Sequence, residues 1–116
     1  MPISSPPPTL SRAEQAALSE FMARVRNLLG PELKAARLFG SRARGEGDEY
    51  SDVDIALVVT TPWRARRYEI YDLAYDIGLE HRVTLAPMVL EESRFQELKK
   101  RERLIAREIE GEGIAV

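Results

Sequence analysis

The 116-residue chain is 44% hydrophobic and carries 19 acidic against 17 basic side chains, a formal net charge of -2. That size allows one core burying about two thirds of the unfolded surface, with no room for a second substrate domain, and the charge balance excludes a general basic footprint for nucleic acid. The absence of cysteine excludes disulfides and thiolate metal sites, no apolar run reaches membrane-spanning length, and a cytoplasmic location is expected.

Residues 1–9 are expected to form a disordered tail, because Pro2, Pro6, Pro7 and Pro8 among serines leave little to pack; residues 10–116 are the domain. Ser11 and Glu14 make a capping box, and Leu18, Phe21, Met22, Val25 and Leu29 recur at helical spacing until Gly30-Pro31 ends the helix. Leu33 to Phe39 reads as a strand, Ser41 to Gly45 as one helical turn, Gly45 to Ser51 as a polar loop and Asp52 to Val59 as a second strand. Thr61 is a good cap with Pro62 at the first helical position, and the periodic stretch Trp63 to Leu79 follows. Arg82 to Leu90 reads as a third strand. From Ser93 onward, Phe95, Leu98, Leu104, Ile105 and Ile109 predict one long or two short helices, stopped by Gly111 and Gly113, after which Ile114-Ala115-Val116 can add an edge strand. This order implies an α/β (α+β) fold: a small mixed sheet of three to four strands with helices on one face.

The chemistry concentrates between the first two strands. A glycine after a strand lets the backbone turn sharply and approach a ligand, so Gly40 followed by Ser41 offers a phosphate seat, to which Arg42 and Arg44 would add positive charge. Asp52 and Asp54, two apart on a strand, leave the same face; carboxylates held that close repel and favour a shared divalent cation. Taken singly, each motif has a more ordinary reading, as a Gly-Ser loop with solvated arginines or as aspartates opening a strand. Their order gives them weight. If the two strands are antiparallel, both motifs meet at one sheet edge, and a crossover helix returns the third strand, parallel, to that edge.

The run Gly40-Ser41-Arg42-Ala43-Arg44-Gly45 leading into Ser51-Asp52-Val53-Asp54-Ile55-Ala56-Leu57-Val58-Val59 resembles the signature of the minimal nucleotidyltransferases of the DNA polymerase β-like superfamily. The helix-strand order agrees from Ser11 to Ile109, and Ile109-Glu110-Gly111-Glu112-Gly113-Ile114 is similar to a late family motif. The resemblance implies the nucleotidyltransferase fold, with Gly40 and Ser41 on the β and γ phosphates of a nucleoside triphosphate, Mg²⁺ on Asp52 and Asp54, and transfer of AMP to an acceptor hydroxyl. It further implies a helical HEPN-type partner in a toxin-antitoxin pair, with a partner tyrosine as acceptor. The family pattern also has a third acid on the strand after the crossover helix, and here the chain departs from it. Alternation along Arg82-Val83-Thr84-Leu85-Ala86 puts Thr84 and Ala86 at that face, and neither is a carboxylate. Loss of general-base help slows such a reaction by about 10²- to 10⁴-fold. Glu80, Glu91 and Glu92 are the nearby acids, all outside the expected strand. The departure supports an alternative, a catalytically idle nucleotide-binding module that neutralises its partner by occupying it. An antibiotic-modifying transferase would lack its acceptor-binding domain.

On the second helix, Trp63, Ile70, Leu73, Ala74 and Ile77 form a core stripe, while Tyr68, Tyr71 and Tyr75, with Leu79 and Arg64, form another on roughly the opposite side. That face is read either as solvated tyrosines or as a contact surface for a partner or a second copy. Arg64, Arg66 and Arg67 point around the helix and, like the alternating charges from Glu97 to Arg107, read as solvated surface. His81, the single histidine, suits a helix C-terminus and has no companions in sequence for a metal.

Overall fold

The computed structural model describes residues 10–40, 42, 52–60, 67–101 and 103–116. Helix α1 (Arg12–Leu29) begins with a complete capping box: the Glu14 N–H donates to Ser11 Oγ at 3.1 Å, and the Ser11 N–H donates to Glu14 Oε1 at 2.8 Å. Its end is set by Gly30 at φ +54 and by the 3₁₀ turn Gly30–Glu32. Strand β1 (Leu33–Phe39) then pairs antiparallel with β2 (Val53–Val59). Helix α2 (Arg67–His81) crosses over to β3 (Leu85–Glu91), which lies parallel to β2. Two short helices, α3 (Glu92–Lys100) and α4 (Leu104–Arg107), are followed by a π-helical turn, Glu108–Glu112, and by β4 (Ile114–Ala115). β4 pairs antiparallel with β1, so the mixed sheet runs β3-β2-β1-β4.

The helices are not confined to one face, as the order of elements suggested. Val53, Ile55, Leu57 and Val59 pack under α1 and α2 with Phe21, Val25, Ile70 and Ile77. The alternate residues Ala56 and Val58, with Phe39, pack under the C-terminal helices on Phe95, Ala106 and Ile109. The physical reason lies in β2: its apolar run has no polar alternation after Asp54, so both faces need cover. The third strand also starts later than Arg82. Arg82 adopts φ +58, and the Val83 N–H donates to the Gly78 carbonyl at 2.9 Å, so these residues close α2 before β3 begins. The expected tail at residues 1–9, the helix start at Thr61 and Pro62, Trp63, and the turn and loop positions other than Arg42 lie outside the described residues.

Candidate functional site

The corner after β1 is built against an acid. Gly40 has φ +78, and a Cβ placed on it would stand 2.5 Å from Asp54 Oδ2. An L-residue there would be strained by its backbone conformation, which favours glycine, and its Cβ would displace the Asp54 carboxylate. The register explains the meeting: Phe39 is the cross-strand neighbour of Asp54, and the chain turns one residue later. On its other side β2 holds β3 in parallel, with Asp54 beside Ala86 and the Val53 N–H donating to the Thr84 carbonyl at 2.9 Å. The end of β1 and the beginnings of β2 and β3 thus share one edge.

Asp54 alternates with Val53 and Ile55, so it belongs to the sheet face of Ala56 and Val58, which the C-terminal helices cover. Asp52, exposed and two residues earlier, lies on the same side. Burial raises the Asp54 carboxyl above its usual range, and the charges of Asp52 and then Glu108 raise it further. All three causes disfavour the carboxylate. Among the described residues, the charges that act on Asp54 are therefore of its own sign.

Arg42, expected to lend charge to the phosphates, is engaged on the α1 side of the corner. Its guanidinium is 1% exposed and ion-paired with Glu14 Oε1, the same oxygen that accepts the Ser11 N–H. The reason is a demand that sequence spacing hides: the capping box holds Glu14 in a buried position, where an unpaired carboxylate would be costly. Ser41 and Arg44, the other expected phosphate-binding positions, lie outside the described residues.

β3 supplies no acid to the edge. Thr84 precedes the strand and is exposed, and Ala86 occupies the place beside Asp54. Glu91 is opposite Val59, five residues and roughly 17 Å along the strands from Asp54. Glu80 is drawn to the α1–α2 layer, where His81 Nε2 lies 2.9 Å from Glu20 Oε1 and the ligand atoms of Glu20, Glu80 and His81 all fall within 4.8 Å of one another. His81 thus has companions that its place in the sequence did not reveal, but in the helix layer on the opposite side of the sheet from Asp54. The acid that sequence reading missed near Asp54 is Glu108. The spacing of Ile105 and Ile109 marks its helix as amphipathic; no local signal says which part of the sheet that helix covers.

A family model for the polymerase beta nucleotidyltransferases matches residues 26–116. Two proteins of Methanocaldococcus jannaschii, both named as candidate protein adenylyltransferases, are similar to the chain. One is 36% identical over 78 residues, which are 64% of this chain and 52% of that protein; the other is 32% identical over 73 residues, 62% of this chain and 74% of that protein. The chain thus spans about half the length of the first. Among solved structures, a mutant of the toxin-antitoxin MntA-HepT aligns with TM-score 0.51 at 17% identity, and a toxin-antitoxin with AMP-PNP aligns with TM-score 0.52 at 19% identity. Each alignment covers 83% of this chain and 69% of that chain, a likeness of fold. With Gly40 and Asp54 meeting at the shared strand edge and the family model spanning most of its length, the chain belongs to the polymerase beta nucleotidyltransferases, as a minimal member of that family.

Proposed function

We propose that this domain transfers AMP from ATP to an acceptor hydroxyl, with Gly40 and Ser41 at the phosphates and Asp52 and Asp54 holding Mg²⁺. The observation that supports the reading is the packing of the Gly40 corner against the Asp54 carboxylate, which brings the proposed phosphate seat beside the proposed acidic pair. The donor set fits the ion: carboxylate oxygens whose negative charge is uncompensated suit a hard divalent cation. When bound, Mg²⁺ would offset charge on the phosphates and favour the deprotonated hydroxyl. The chain's own residues orient the reactants. An acceptor oxygen forms a bond to the α phosphorus, the bond from that phosphorus to the bridging oxygen breaks, and pyrophosphate leaves with the electron pair while the hydroxyl proton passes to water.

Adenine as the base is supported by the names of the two similar proteins, and a HEPN-type partner by the toxin-antitoxin structures of the same fold. The partner surface we assign is the outer face of α2, where Tyr68, Tyr75 and Leu79 are 71%, 68% and 62% exposed, with Tyr71 beside them at 37%. The same face would serve a second copy. A cytoplasmic setting agrees with a chain free of cysteine.

The test is incubation of the chain with labelled ATP, Mg²⁺ and the protein encoded beside it, with Asp54→Ala as control. Label on the partner that disappears with Asp54→Ala is the expected result. An intact complex without label would instead favour the idle nucleotide-binding module, a reading supported by the lack of an acid at Thr84 and Ala86.

A further inference from the structure

The end of α2 meets the middle of α1 through side chains that take no part in the Asp54 edge. Phe21 of α1 and Ile77 of α2 are buried in one core cluster; Glu20 precedes Phe21, and His81 lies one turn beyond Ile77 on the same face of its helix. The last turn of α2 is fixed by its cap. The Val83 N–H donates to the Gly78 carbonyl at 2.9 Å and the Arg82 N–H to the Leu79 carbonyl at 3.3 Å, with Arg82 at φ +58, the paired bonds of a Schellman closure. Gly78 permits this return of the chain, since a Cβ on it would stand 2.6 Å from the Val83 carbonyl oxygen. Glu80 and His81 are therefore carried on a turn held from both sides, by the cap and by the core. With Glu20 they bring two carboxylates and one imidazole together, their ligand atoms all within 4.8 Å of one another.

The geometry points to a zinc site at this junction, with Glu20 of α1 and Glu80 and His81 of α2 as its three protein ligands. An ion pair between His81 Nε2 and Glu20 Oε1, 2.9 Å apart, accounts for two of the three groups only. The Glu80 carboxylate has no hydrogen bond or ion pair among the described residues, although it shares the cluster. Two carboxylates and a neutral imidazole sum to two negative charges, which a divalent ion balances and an imidazolium does not. Ligands about 2.0–2.2 Å from a tetrahedral ion stand roughly 3.4 Å from one another. The 2.9 Å contact and the 4.8 Å limit lie on either side of that spacing, so side-chain adjustment alone closes the site. The mixed nitrogen and oxygen donor set suits Zn²⁺ better than Mg²⁺, which prefers oxygen throughout. Glu80 is exposed, which leaves the fourth position to water, and the negative end of the α2 dipole favours a cation there. Such an ion would tie the end of the crossover helix to α1. The inference stands apart from the proposed function, since none of the three ligands lies at the Asp54 edge.

His81 is the single histidine of the chain, so its imidazole is a unique reporter. Zn²⁺ added to the full chain, free of any histidine tag, should shift the imidazole Cε1–H resonance in NMR and saturate it at one equivalent. The same shift should persist in Asp54→Asn, which separates this site from the aspartate pair. Glu80→Gln leaves the contact of His81 with Glu20 in place and should still weaken Zn²⁺ binding about tenfold or more, because losing even the hydrogen-bonding partner of a metal ligand costs that much. Saturating Zn²⁺ should also raise the melting temperature of the unmodified chain, and His81→Gln should abolish that rise. An imidazole resonance unmoved by equimolar Zn²⁺ in the folded chain would reduce the cluster to an ion pair and overturn the inference. Equal affinity in Glu80→Gln would overturn it too, as the mark of an adventitious ion on one histidine.

Discussion

Two charged groups flank the Gly40 corner, and they are built on opposite principles. On the α1 side, Arg42 and Glu14 are both buried and paired, and Glu14 also completes the cap of the helix. On the sheet side, Asp54 sits with Asp52 and Glu108, all of one sign, and its carboxyl is pushed up by burial and by both neighbours. The first group is satisfied inside the protein and holds the corner to the helix. The second is repulsive as it stands, which agrees with the proposed cation there.

The largest break in this contrast is Arg42→Ala. Removing one partner of a buried pair leaves Glu14 uncompensated and should lower stability by about 3–5 kcal/mol, read by urea denaturation. Gly40→Ala comes next. It forces a side chain into a left-handed conformation, at a cost of about 1–2 kcal/mol, and presses on Asp54 Oδ2. Calorimetry with ATP and Mg²⁺ should show a greater loss of nucleotide binding than the loss of fold explains.

Asp54→Asn should act in the opposite direction from Arg42→Ala. A raised carboxyl favours the protonated form in the folded state, so the stability it gives is complete below the ordinary aspartate value of 3.8 and is lost as pH rises through the raised value. At pH 7 without divalent ions, the asparagine variant should therefore melt slightly higher than the unmodified chain, and the gap should close toward pH 3. Mg²⁺ should reverse the ranking by stabilising only the aspartate form. A variant that melts lower at neutral pH would contradict the picture of a strained acidic group.

The smallest effect on the fold is expected at Tyr71→Glu, on the outer face of α2. A surface change of this kind costs about 0.5 kcal/mol or less. The size of the complex with the partner, read by gel filtration, should nevertheless fall. Unchanged assembly would remove this face from consideration while leaving the site comparison intact.

Much of the architecture was legible along the chain because local physics decides it. The Ser11–Glu14 cap, the bounds of β1, the crossover from β2 to β3 and the edge strand at Ile114 follow from capping, alternation and turn residues, and the structure keeps them. The single helical layer expected from the element order did not hold. Coverage of the second face depends on where α3 and α4 dock, and that choice is made by Phe39, Ala56 and Val58, distant in sequence from Phe95 and Ile109.

The sequence by itself determined the family, the corner glycine and the aspartate pair, because a sharp turn and a two-residue strand period are short-range constraints. Only the tertiary structure decided where the other charges go. Arg42 turned inward because Glu14, fixed by its cap, lay buried and needed a counter-charge, and the charge of Glu108 acts on Asp54 although the two lie far apart in sequence. Electrostatic partners are chosen by distance in space, and sequence spacing measures only distance along the chain.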